Sequence, residues 1–330
     1  MAFTLTAAKQ FYMEPALPAQ PERIIQMPKK IMLLLLVALL FTGCSSQQAP
    51  SSEKSQTEKP LTIVATLFPQ YDFARAIAGD HAEVTLLLPA GVESHSFEPT
   101  PSDIMKINQA DLFVYTGSNM EPWAETMIQS LDNPNLTVVD VSQNVPMDPS
   151  EDEHHPYDPH IWTSPVNAKI MVENVAKALC EKDPDNAASY QKNADEYTAE
   201  LDALDQQIRQ TVANGKRNEI IFGGRFAFHY FIKEYGLDYR SAYENCSEET
   251  EPSVKTIASL IDEINEKQIP VIYYEELTDP KIARSISEAT GAELLLFHSC
   301  HNVSKEDYDN KATYLSLMKQ NLENLKKGLN

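Results

Sequence analysis

Eight histidines and four cysteines carry most of the metal-binding and nucleophilic chemistry open to this chain. His95 lies in GVESHSFEPTP (91–101), just after a strand-like run. His160 lies in DPHIWTSP (158–165), just before a helix-like one. His298 closes a strand-like run in FHSCHN (297–302), with His301 close behind. Imidazole is the commonest ligand for zinc and related first-row metals. In open α/β sheets, ligand sites form outside the carboxyl ends of the strands. Histidines at such points, drawn from both halves of the chain, therefore suggest convergence on one cleft. No H-E-x-x-H occurs, so the usual zinc hydrolase helix is missing. The cysteines, at 44, 180, 246 and 300, form no C-x-x-C pair. His81, in AGDHAEV, reads as a surface residue.

Two blocks of alternating strand-like and helix-like sequence must position these residues. In the first, strands are expected over 61–67, 82–89, 111–117 and 136–142, with helices between them. Ser164-Pro165 then opens a helix, Ser as N-cap and Pro at the first helical position. In the second block, strands are expected over 218–224, 269–276 and 292–299. Its helices cover 226–237, 253–267, a segment ending at Gly291 as C-cap, and the chain from Tyr314 onward. Apolar runs alternating with helices indicate parallel sheets flanked by helices. Between the blocks, Tyr190, Ala194, Tyr197, Leu201, Leu204, Ile208 and Thr211 recur at helical spacing. The fold class expected is α/β: two lobes, each with a mainly parallel sheet, joined by one long rigid helix. The lobes are expected at 61–182 and 216–330, with the helix at 183–215.

The chain has 330 residues, with 27 Lys and Arg against 48 Asp and Glu, a formal net charge of −21. That balance argues against nucleic acid or an anionic membrane surface as partner, since both need clustered cations. It suits cations. Neither G-x-G-x-x-G nor G-x-x-x-x-G-K-[ST] occurs, which argues against the usual nucleotide enzymes. Residues 27–43 read as an export signal: Lys29 and Lys30, then an apolar run from Ile31 to Phe41 too short to span a bilayer. The ending F-T-G-C resembles a bacterial lipobox, with Cys44 as the lipidated residue. The first 26 residues read as an extension ahead of a natural start at Met27. Residues 44–60 are polar and aperiodic, as in a flexible tether.

G-x-x-x-H-x-F-E-P-T-P, D-P-H-I-W-x-S-P and AFHYFIKEYGL (227–237), in this order, resemble the zinc/manganese substrate-binding lipoproteins of bacterial ABC importers. The resemblance covers roughly residues 60–329. It implies two α/β lobes around a four-ligand metal site, and a monomer that delivers metal to an ABC permease. His95 and His160 match the family's first two ligands. The third, a His or Glu opening the helix before A-F-x-Y-F, falls on Arg225, which stays protonated and offers no acceptor. His229, four residues on, is the nearest replacement. His298 takes the place of the fourth ligand. Glu276 is expected to touch the metal or to neutralise Arg225, and His301 is a secondary donor. His154 and His155 lie in the acidic stretch where zinc-specific members carry a capture loop.

Cys246 and Cys300 lie in loops near these candidates, and an exported protein meets a non-reducing exterior. A disulfide between them is expected, with thiolate ligation by Cys300 as the alternative. Cys180 is expected as a buried free thiol. An imidazole-rich site favours Zn²⁺ over Mn²⁺. The function expected is extracytoplasmic capture of a divalent metal, not catalysis, with a surface adhesin and a secreted zinc hydrolase as rivals.

Overall fold

In this computed structural model, residues 59–94, 97–150, 156–243 and 251–330 are described. Cys44, His95, His154, His155 and Cys246 lie outside them, as do the signal segment and most of the tether. No helix among the described residues is long and apolar enough to cross a membrane.

The first block forms β1 (Leu61–Ala65), α1 (Phe68–Ala78), β2 (Ala82–Leu86), α2 (Pro101–Gln109), β3 (Leu112–Tyr115), α3 (Pro122–Gln129) and β4 (Thr137–Asp140). These strands make one parallel sheet in the order β2-β1-β3-β4. Its central strand β3 is buried along its whole length, as a strand covered on both faces must be. α4 (Pro165–Lys182) follows, with Ser164 Oγ capping Asn167 N and Pro165 in the first turn, as the sequence leads one to expect.

α5 (Ala187–Asn214) runs 28 residues, about 42 Å at 1.5 Å per residue. Its buried residues are Tyr190, Ala194, Tyr197, Leu201, Leu204 and Ile208. That is the stripe visible in the sequence, now covered by α4, α1 and the C-terminal helix.

The second block repeats the first topology. β5 (Glu219–Phe222), α6 (His229–Tyr235), β6 (Asp238–Ser241), α7 (Val254–Lys267), β7 (Val271–Tyr274), α8 (Lys281–Thr290) and β8 (Glu293–Leu296) give a parallel sheet ordered β6-β5-β7-β8. α9 (Lys305–Asp309) and α10 (Tyr314–Leu329) complete the chain. Gly291 ends α8 at φ 78°, where a side chain would be strained.

Three elements differ from expectation. β6, DYRS, has no apolar run and was not foreseen; it is a half-exposed edge strand. α6 starts at His229 rather than 226, because Phe226 and Phe228 turn into the core. There Phe226 stacks on Tyr239 at 4.0 Å and Phe228 stacks on Phe222 at 5.1 Å. β8 ends at Leu296 because Asn321 of α10 takes over the next backbone groups. Its Oδ1 accepts from His298 N and its Nδ2 donates to His298 O, both at 2.7 Å.

The two lobes are stitched along a polar seam. Trp162 Nε1 donates to Ser299 O at 2.8 Å, and Tyr314 OH donates to Trp162 O at 2.6 Å. Buried Asp72 on α1 accepts from Tyr197 OH of α5 and from the α10 backbone at Tyr314 N. Asn302 Nδ2 donates to Pro89 O and Val92 O, and Gly91 N donates to Val303 O.

Candidate metal centre

His160 stands at the mouth of a 3₁₀ turn (Ile161–Thr163) and is 5% exposed. Asp158, two residues earlier, accepts from both His160 N (2.8 Å) and His160 Nδ1 (2.7 Å). The intervening Pro159 fixes the backbone so that one carboxylate can do both. Burial alone would raise the Asp158 carboxyl. The charge and hydrogen bonds of His160, with the charge of His229, outweigh it and hold the group below the usual carboxylate range. A carboxylate at Nδ1 fixes the proton there and leaves the Nε2 lone pair for a metal.

His301 is prepared in the same way from the other lobe. Glu276 accepts from Ser299 N (2.7 Å) and Ser299 Oγ (2.5 Å). The serine proton is thereby spent, so its oxygen accepts from His301 Nδ1 at 2.6 Å. Nε2 of His301 is again the nitrogen left with its lone pair. The two prepared rings meet across the seam with centroids 4.6 Å apart, and Trp162 packs its edge on both.

His298 fails this test. Cys300 N donates to His298 Nδ1 at 2.9 Å, so the neutral ring carries its proton on Nε2. That Nε2 is buried with no hydrogen-bond partner among the described residues. His298 Nδ1 thus takes a backbone donor, whereas His301 Nδ1 meets a serine oxygen. The Glu276 carboxylate holds Ser299, with His298 Nδ1 3.6 Å away.

His229 Nε2 lies 4.0 Å from Asp158 Oδ2, on the Nδ1 side of His160, and its ring packs on Phe226 and Tyr239. Cys300 carries a free thiol in this structure rather than the expected disulfide; Cys246 lies outside the described residues. Burial, with the charges of Glu276 and Asp72, pushes that thiol well above its ordinary value, which disfavours the thiolate a metal would need. Its backbone sits at φ 62°, a left-handed turn that lets β8 double back from His298 to His301. Cys180 is also a free thiol, half-buried on α4.

Arg225 lines the same cleft as His301, in a cavity of ≈ 110 Å³ faced by Gly91 to Ser94 of the first lobe. Beside it, a Cβ on Gly224 would fall 1.7 Å from Glu275 Oε2, so glycine is what lets Glu275 lie against this backbone. Among the described residues no group of three or more His, Cys, Asp or Glu side chains is arranged to hold a metal. Asp158, Ser299, Trp162 and Asn302 organise the site although sequence reasoning did not single them out. The signal available was spacing: an oxygen acceptor two residues before each prepared histidine, in D-P-H and S-C-H. On either side of residues 151–155, Pro149 and Tyr157 form an antiparallel bridge, and Tyr230 OH donates to Asp158 O.

Residues 63–328 match the family described as zinc-uptake complex component A, periplasmic. The chain is 36% identical to the high-affinity zinc uptake system protein ZnuA of Bacillus subtilis over 303 residues, 88% of this chain and 94% of that protein. It is 33% identical to the zinc-binding lipoprotein AdcA of Streptococcus pneumoniae, covering 90% of this chain but only 60% of AdcA. The Zn(II)-bound ZnuA-like domain of AdcA superposes with a TM-score of 0.72 at 31% identity, over 82% of this chain and 99% of that one. The laminin-binding protein Lmb of Streptococcus agalactiae, described as bifunctional with adhesin and metal transporting activity, gives 0.71 at 30% identity, over 82% and 100%.

Proposed function

The chain belongs to the family of zinc-uptake complex component A, and from that premise we propose that it captures zinc in the cleft between its lobes and delivers it to an ABC-type permease. Manganese is the second cation. His160 and His301 supply Nε2 donors, His95 supplies a third, and the acidic stretch with His154 and His155 collects metal for them. The chain works outside the cytoplasm, tethered by lipid on Cys44, and acts as a binder rather than an enzyme. The observation that carries this reading is the pair of facing imidazoles whose Nδ1 atoms are each committed to a carboxylate-backed acceptor. Neutral imidazoles favour Zn²⁺ over the more oxophilic Mn²⁺.

Calorimetric titration with zinc, repeated on His160→Ala, tests the proposal. Wild-type binding weaker than about 10 µM, about 7 kcal/mol, would defeat it. The likeness to Lmb favours surface adhesion as a second reading, tested by binding of the purified chain to immobilised laminin.

A further inference from the structure

We propose that Tyr230 is a positioning residue for metal capture: its hydroxyl, carried by the second lobe, locks the backbone of Asp158 in the first and thereby sets the His160 ring for its ion. The inference rests on the zinc-capture reading above and adds to it a residue that touches no metal.

Tyr230 is the second residue of α6 and is 4% exposed. A phenol hydroxyl can donate one hydrogen bond and accept another, and here it does both. It donates to Asp158 O at 2.8 Å and accepts from Asp148 N at 3.0 Å. Asp148 O in turn accepts from Asp158 N at 2.9 Å. One hydroxyl thus joins residues 148 and 158, both of the first lobe, to a helix of the second. Lys233, one turn further along α6, pairs with the Asp148 carboxylate.

Asp158 is therefore held at its N–H, its carbonyl and its side chain at once. Its Oδ1 takes His160 N and His160 Nδ1 at 2.8 and 2.7 Å, while Oδ2 has His229 Nε2 4.0 Å away. Pro159 restricts the Asp158 backbone to extended conformations, and within that range the bond from Tyr230 fixes where the carbonyl points. Without the hydroxyl, the buried carbonyl of Asp158 would lack its partner, a state costly enough that the backbone turns to find another. Such a turn carries the carboxylate off Nδ1, and the His160 ring loses both its angle and its tautomer preference. Tyr235, also buried on α6, gives the contrast: its hydroxyl donates to Asp205 Oδ1 of α5 at 3.1 Å. It stabilises the helix packing without touching Asp158.

The test is zinc affinity of the full chain, by competition with a chromophoric chelator. Tyr230→Phe keeps the ring and loses the hydroxyl, and we expect it to weaken zinc by about tenfold, the lower end for an outer partner of a ligand. Tyr235→Phe should leave zinc within about twofold of wild type. In an Asp158→Ala chain, Tyr230→Phe should add less than about twofold, because the two residues act in series. Replacing Tyr230 by 4-aminophenylalanine, which keeps a donor toward Asp158 O, should recover most of the loss. Visible spectra of the cobalt-bound chain should change with Tyr230→Phe and not with Tyr235→Phe. Metal-free melting curves check that each variant folds. A loss below about threefold for Tyr230→Phe, an equal loss for Tyr235→Phe, or a loss that persists undiminished in the Asp158→Ala chain overturns the positioning role while leaving zinc capture standing. No zinc binding by the wild type overturns both.

Discussion

Asp158 gives the sharpest test of how the metal centre is prepared. Its carboxylate accepts from His160 Nδ1 at 2.7 Å and from His160 N at 2.8 Å, so it sets both the tautomer and the angle of the ring. Outer partners of this kind are worth about 10–100-fold in metal affinity, or about 1.4–2.8 kcal/mol. Two substitutions divide that range. Asp158→Asn keeps an oxygen acceptor for Nδ1–H but removes the charge, so zinc affinity should fall about tenfold. Asp158→Ala removes acceptor and charge together and frees the ring to place a proton on Nε2, so the loss should approach about 100-fold. The assay is competition for zinc against a chromophoric chelator, with metal-free thermal melting run beside it. The acid side supplies a control. A carboxyl whose folded pKa lies below its unfolded value stabilises the protein fully above the ordinary value of about 4. That contribution fades as the pH falls toward the folded pKa. Both variants should therefore lose part of the acid-side slope in stability. If both bind zinc within about threefold of wild type while His160→Ala does not bind, outer-partner control of His160 is refuted.

The two histidines after β8 should separate cleanly. His301→Ala should lose more than about 100-fold in zinc affinity, and His298→Asn less than about tenfold, in the same competition assay. Glu121 is buried beneath β1 and β3, hydrogen-bonded to Thr66 Oγ1 and Thr116 N, and burial pushes its pKa up to about 8. Because the folded chain holds that proton longer than the unfolded one, stability should fall from about pH 4.5 to about 8 by up to about 1.4 kcal/mol per pH unit. Glu121→Gln, which mimics the neutral acid, should remove the slope in urea titrations run at several pH values. Gly224→Ala drives a methyl into the Glu275 carboxylate and should cost about 1–3 kcal/mol of stability by thermal melting. Asn302→Ala removes two bonds to the loop before His95, each worth about 1 kcal/mol. Zinc release into excess chelator, followed by stopped flow, should speed up severalfold.

Pattern-level features of this chain were readable and tautomer-level ones were not. The α5 stripe, the Ser164-Pro165 helix start and the Gly291 cap follow from local chemistry, and each appears where its residues place it. β6 escaped because DYRS pairs as an edge strand through backbone bonds alone and has no apolar period to announce it. At the metal centre, His95, His160 and the FHSCHN segment were visible as donors, but the choice between His298 and His301 was not. It depends on which ring nitrogen is already used, and that is decided by Cys300 N for one and by the Glu276–Ser299 pair for the other. Both deciders act through a left-handed residue at 300 that no periodicity predicts. Arg225 was legible as a departure from pattern.

The distribution of seam bonds bears on how a captured ion leaves. Swinging one lobe away from the other as a body would break Trp162–Ser299, Tyr314–Trp162 and the Asp72 links to α5 and α10. Two of these involve Trp162, one through its ring nitrogen and one through its backbone carbonyl, and its fully buried ring also packs against both prepared histidines, so the same motion would dismantle the site. Displacing only the segment from Pro89 to Ser94 breaks the two Asn302 bonds and the one from Gly91 N to Val303 O. That segment leads directly to His95. At about 1 kcal/mol for each bond, moving this segment costs less than moving a lobe, and it leaves the contacts of His160 and His301 in place. A two-lobed fold stiffened by a 28-residue helix can thus open its cleft at this segment without swinging a lobe.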